Sequence, residues 1–163
     1  VFRIEDTDGK PLLRPVYTPP VLPPFWQVSK YMGLAVEYTP AVANYLGKYN
    51  RLSKTITLAA NDAFVFFHEL AHAVDHDLFT AKYDDTARAE IVAEMTACVL
   101  CQIQNIEGYE NQAYSYLQYY TQKKDATAVV KAIMSVLNDV EVIVTKILTV
   151  AEEINRQQEK KSS

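Results

Sequence analysis

Five consecutive residues, His68-Glu69-Leu70-Ala71-His72, carry the strongest chemical signal in the sequence. The chain has 3 histidines, and all lie between positions 68 and 76. His68 and His72 are four apart, so on a helix their rings project from one face, a turn apart. At that separation two imidazole nitrogens reach one Zn2+ at about 2.0–2.1 Å each. Glu69 follows the first histidine directly, which aims its carboxylate beside the ion rather than at it. There it accepts a proton from a water whose pKa the metal lowers toward about 7, and later delivers it to a leaving amine. The flanks Phe64-Val-Phe-Phe67 and Ala73-Val74 imply burial, where two imidazoles lacking partners would be costly. H-E-x-x-H within a predicted helix therefore reads as a metal site, with zinc or another divalent ion as cofactor.

A catalytic zinc takes three protein ligands and keeps a fourth position for water. The extended pattern H-E-x-x-H-x-x-G-x-x-H fails, because Asp75 stands at its Gly place and Leu78 at its final His place. His76 lies two turns beyond His68, about 12 Å along a straight helix axis, too far to share one ion. It reads as a helix-end histidine with an outer or structural role. Glu90-Ile-Val-Ala-Glu94 instead sets two carboxylates on one helical face amid apolar residues. Glu90 is assigned the third ligand place and Glu94 the outer one, holding a ligand imidazole through its other ring N–H. The reverse assignment fits the same spacing.

These residues need elements to carry them. Residues 1–24 contain Pro11, Pro15, Pro19, Pro20, Pro23 and Pro24 and read as an extended arm or linker. A domain at 25–158 follows, and 159–163 read as a polar tail. Phe25 to Met32 is a short helix ended by Gly33. Leu34–Thr39 has strand character, Tyr45–Arg51 is turn-rich, and Lys54–Ala59 alternates with the period of a strand. Asn61 or Asp62 can cap the helix that starts at Ala63. Further helices are expected over 87–106, 109–122, 126–137 and 139–155. The sum is an α+β fold, mostly helical, with a small sheet ahead of the helices.

Composition narrows the classes. The formal charge is −4, and no dense Lys/Arg run offers the basic face that phosphate neutralisation requires. No apolar stretch is long enough to span a bilayer and no signal peptide opens the sequence, so no membrane partner and a cytoplasmic location are expected. Cys98 and Cys101 are the only cysteines. They sit in an apolar helical pattern with no second Cys/His pair, and read as core rather than as a redox or zinc pair.

Phe66-Phe-His-Glu-Leu-Ala-His-Ala and Ala87-Arg-Ala-Glu-Ile-Val-Ala-Glu-Met-Thr-Ala-Cys together resemble the C-terminal zincin-like metallopeptidase domain of ArdC-type antirestriction proteins. The opening Val1-Phe-Arg-Ile-Glu-Asp-Thr-Asp-Gly-Lys-Pro-Leu is similar to that family's linker, and Tyr49-Asn-Arg-Leu-Ser-Lys-Thr-Ile-Thr-Leu to the strand before its active-site helix. A more distant likeness is to the ImmA/IrrE-type and HtpX-type gluzincins, whose third ligand opens an E-x-x-x-D/N segment. Carried over, this places Glu90 as ligand and Glu94 in the second position. The sequence departs from the family at Val74-Asp75-His76, where relatives usually carry a Gly, and at Phe79-Thr-Ala-Lys-Tyr83, where they often carry Arg-Leu-Phe-Gly.

The resemblance implies a hydrolase encoded on mobile genetic elements and associated with protecting incoming DNA. Its partner is a protein or peptide substrate, and single-stranded DNA is bound only through an upstream domain absent from these residues. Two functions follow. In the first, Glu69 is the general base of peptide-bond hydrolysis, with substrate paired to the edge of the strand at 54–59. An additional electrophile would come from Tyr83, His76 or the tyrosines at 109, 114, 116, 119 and 120, which the sequence does not rank. In the second, the metal stabilises a binding module that works with a DNA-binding domain. Glu69 favours the first, since a structural site needs no base.

Overall fold

A computed structural model describes residues 19, 21–39, 45–79, 85–121 and 125–162. The proline-rich arm therefore lies outside the described residues except for Pro19 and 21–24, as does most of the connection around Lys82–Asp85, including Tyr83.

The first helix, α1 (Trp26–Tyr31), stops where Gly33 takes a φ of 71°, a turn that only glycine makes without strain. It leads into β1 (Ala35–Tyr38), and β2 (Gly47–Asn50) and β3 (Thr55–Leu58) complete a three-stranded sheet. The strand order is β1-β3-β2, with β1 parallel and β2 antiparallel to β3. β1 and β3 fall inside the two stretches expected as strands. β2 falls in the stretch read as turn-rich, because Gly-Lys-Tyr-Asn shows no apolar alternation. It is a strand by pairing rather than propensity, held to β3 from Gly47↔Leu58 to Asn50↔Thr55.

The sheet order corrects one expectation. β3 is the central strand, with neighbours on both sides, so it has no open edge for a substrate. The outer strand on the active side is β2. Ala59 N–H donates to the Leu46 carbonyl at 2.7 Å, which marks 46 as a hydrogen-bonded pair position. By alternation, Gly47 and Tyr49 turn their backbone groups away from β3.

Asp62 opens α2 (Ala63–Leu78) by accepting from the N–H groups of Phe64 and Val65 at 2.8 and 3.3 Å. Eleven of its sixteen residues are buried, so this is the central helix, as its all-round apolar flanks require. It packs against α3 (Thr86–Ile103), the sheet and α5 (Ala126–Ser162). Between α3 and α5 comes α4 (Glu110–Tyr120), which packs on α3. The helices expected at 126–137 and 139–155 are one continuous helix, α5, which also runs through 159–162. No Gly or Pro interrupts it near Asp139. The Asp139 carboxylate caps nothing there; it accepts from Arg88 Nη2 at 2.9 Å. Among the described residues no helix is long and apolar enough to cross a membrane.

Arg88 ties the helices together. Its guanidinium donates to Asp75 of α2 at 2.7 Å and to Asp139 of α5, and lies over the Phe79 ring at 5.5 Å. Asp75 is fully buried and the Arg88 side chain is 11% exposed. Removing one partner of such a network strands the others without compensation. Arg88→Met should lower stability by about 3–5 kcal/mol in chemical denaturation. A loss within error would show that the network holds nothing.

Cys101 is buried and Cys98 half-buried in α3, and both thiols are free of a disulfide. Burial, with smaller contributions from Glu94, Asp62 and Glu110, pushes both up to about 12. At neutral pH the thiolate fraction is then about three orders of magnitude below that of a solvated thiol near 8.5. Alkylation of the native protein at pH 7 should be correspondingly slow, and fast after unfolding. Rapid native labelling of either cysteine would contradict their burial in the core.

Candidate metal centre

The buried face of α2 presents His68 and His72 one turn apart, ring centroids 4.8 Å from each other. Helix α3 crosses above them and brings Glu90 and Glu94. The Nε2 atoms of His68 and His72 are 3.1 Å apart, and Glu90 Oε2 lies 3.4 and 3.5 Å from them. Bonds of about 2.0–2.1 Å at tetrahedral angles put ligand atoms about 3.3 Å apart. The three atoms therefore sit near three corners of a tetrahedron around a small divalent ion, and these residues could hold a metal.

The surroundings prepare that role. Glu94, 2% exposed, places Oε2 at 2.9 Å from Nδ1 of His68. Accepting the Nδ1 proton fixes the tautomer in which Nε2 is an unprotonated donor toward the metal position. Burial opposes a charge on His68, yet the contacts with Glu90 and Glu94 outweigh it and hold its pKa up at about 9. Burial likewise opposes the charge on Glu90, but His68, His72 and the Tyr116 hydroxyl pull its carboxyl far below the usual range. The two shifts have one origin, a cluster of electron-rich atoms that needs a positive charge among them. A proton or a metal cation can supply it, and the converging donors suit the metal.

Glu69 stands apart from the three ligand atoms. It is 7% exposed, and burial raises its pKa, with Glu90 adding to the rise; His68, His72 and the Tyr49 backbone N–H pull it back. That N–H is one of the outward groups of β2, so the edge strand grips the carboxylate directly. Close approach explains Gly47: an added Cβ would lie 2.6 Å from Val65 Cγ1 and 2.8 Å from Glu69 Cγ. A cavity of about 230 Å³ opens over the group, bounded by Gly47, Lys48, Tyr49, Glu69 and Tyr116 as well as the ligands. A second, about 280 Å³, adjoins it on the side of Leu46, Phe64 and Val65.

Several participants were not legible beforehand. Of the tyrosines offered as electrophiles, Tyr116 alone among the described ones lines both cavities. Its hydroxyl donates to Glu90 Oε2 at 2.7 Å and its ring meets His68 edge-on at 5.6 Å. No sequence signal separates it from its neighbours on α4. Tyr49 and Gly47 were hidden by the missed strand. His76 lies outside the cluster of His68, His72 and Glu90, near the Tyr49 ring at 6.3 Å, and borders a separate cavity with Lys54, Asp77 and Lys146.

No protein-family model, curated protein or solved structure matches this chain. The site thus rests on its own geometry: a helical, small-sheet α+β domain whose three converging donors could hold a metal.

Metal stoichiometry under chelator competition tests the assignment. His68→Ala, His72→Ala or Glu90→Gln should each abolish tight binding of one divalent ion. Glu94→Gln should retain the ion with about 10–100-fold weaker affinity. Loss of metal in Glu94→Gln but not in Glu90→Gln would reverse the roles of the two carboxylates.

Proposed function

We propose that this chain is a zinc-dependent, zincin-like metallopeptidase-type domain of an antirestriction-like protein, hydrolysing a peptide bond with Glu69 as general base. One observation carries the reading: Glu69 sits beside the three donors, not among them, and faces the same cavity. A purely structural zinc is closed by four protein ligands, and the cluster among the described residues has three. The donor set of two imidazoles and one carboxylate suits zinc, with other divalent ions accepted less specifically. The likeness of the two metal segments to ArdC-type proteins supports the same class and suggests a mobile-element setting.

Bound zinc would supply Lewis acidity and make a water acidic enough to be deprotonated near neutral pH. The rest falls to the protein. His68 and His72 hold their donor nitrogens toward the ion, His68 oriented by Glu94. Glu69, its pKa raised by burial, takes the proton from the attacking water and passes it to the departing amine. The outward backbone groups of Gly47 and Tyr49 offer an extended substrate main chain a strand to pair with. The Tyr116 hydroxyl, close above the centre, is a donor within reach of the carbonyl oxygen as charge develops on it.

Glu69→Gln tests this directly. The variant should keep its zinc while cleavage of an unfolded protein substrate, followed by mass spectrometry of new termini, falls about 10²–10⁴-fold. Equal cleavage by the variant and the wild type would exclude Glu69 as the base.

A further inference from the structure

The cavity beside the metal position has walls of one kind. Phe64 and Val65 are each 8% exposed and form its inner side, with Phe64 fixed by stacking on Tyr109 at 5.3 Å and 17°. Leu46 and Tyr45 overhang it, and both are exposed, at 50% and 39%. Tyr116 and Gln112 of α4 close the far side, and His68 and Glu69 form its border with the metal centre. Glu94 also borders the space, but its Oε2 is engaged with Nδ1 of His68. Gly47 keeps the entrance clear, since a side chain there would run into Val65 and Glu69.

We infer that this cavity is a subsite for a large apolar side chain, leucine- or phenylalanine-like, on the substrate residue next to the bond being cut. The inference rests on the peptidase reading for its occupant. Three observations lead to it. The space is continuous with the base and a metal ligand, so whatever fills it is attached within a residue of the reacting carbonyl. At about 280 Å³ it falls at the low end of the roughly 300–1,000 Å³ of small-molecule sites, a size for a side chain rather than a whole cofactor. No Lys or Arg lines it, so an acidic side chain would be buried against Phe64 and Val65 without a partner, which is costly. The exposed Leu46 and Tyr45 then have a use, as a lip that a substrate covers.

The zinc-loaded 163-residue chain should be titrated calorimetrically with short peptide hydroxamates that differ only in the residue beside the chelating group: Gly, Asp, Leu or Phe. The Leu and Phe compounds should bind at least about tenfold more tightly than Gly, with Asp weakest. Leu46→Asp, at a half-exposed side chain outside the core, should bring the Phe-to-Gly affinity ratio toward one. Equal affinities across the wild-type series, or Asp binding best, would overturn the subsite. A separate cleavage assay keeps the two readings apart. Discrimination among hydroxamates without any peptide cleavage upholds the subsite and overturns the peptidase reading. Cleavage with no discrimination does the reverse. Failure to bind any hydroxamate overturns both.

Discussion

Two imidazole nitrogens and a carboxylate oxygen are brought within 3.5 Å of one another in a nearly water-free recess between α2 and α3. Such atoms repel unless a positive charge lies among them. The neighbouring groups respond accordingly: the imidazole of His68 is driven to hold a proton and Glu90 to give its proton up. The demand for a cation is the constraint around which the rest of the domain is organised. Glu94 orients one donor, Tyr116 bonds the carboxylate, and Arg88 fixes the two helices against α5. Asp75, the Arg88 partner on α2, is three residues beyond His72, and Arg88 is two before Glu90. The clamp therefore acts close to the ligands themselves.

The sheet contributes at its margin. β2 presses so near α2 that a glycine is needed at 47, and the Tyr49 N–H reaches the carboxylate of Glu69. The strand that has the weakest propensity thus sets the position of the proposed base. Its hold comes from pairing with β3, which pattern-reading of one segment cannot detect.

This division explains what could be read in advance. The α+β class, β1, β3, the cap at Asp62 and the helical course of α2 follow from local periodicity and punctuation, which act within a few residues. The pairing of His68 with His72 was legible because helical spacing alone places them together. The convergence of Glu90 with them needed only the added assumption that the next helix packs on the first. Tyr116, Arg88 and Gly47 were not legible, since each matters through a neighbour distant in sequence: Tyr116 through Glu90, Arg88 through Asp75 and Asp139, Gly47 through Val65 and Glu69. The division of α5 at Asp139 failed for the same reason. A local reading sees an acidic residue between two apolar runs; the structure sees the anchor of an ion pair inside one long helix.

X-ray absorption spectroscopy of the zinc-loaded protein is the most direct measure of the metal centre, because it reports the donor atoms without reference to turnover. The geometry predicts four-coordinate zinc with two imidazole nitrogens at about 2.0–2.1 Å and oxygen donors in the remaining places. A sulfur shell near 2.3 Å, or a spectrum without imidazole scattering, would contradict it.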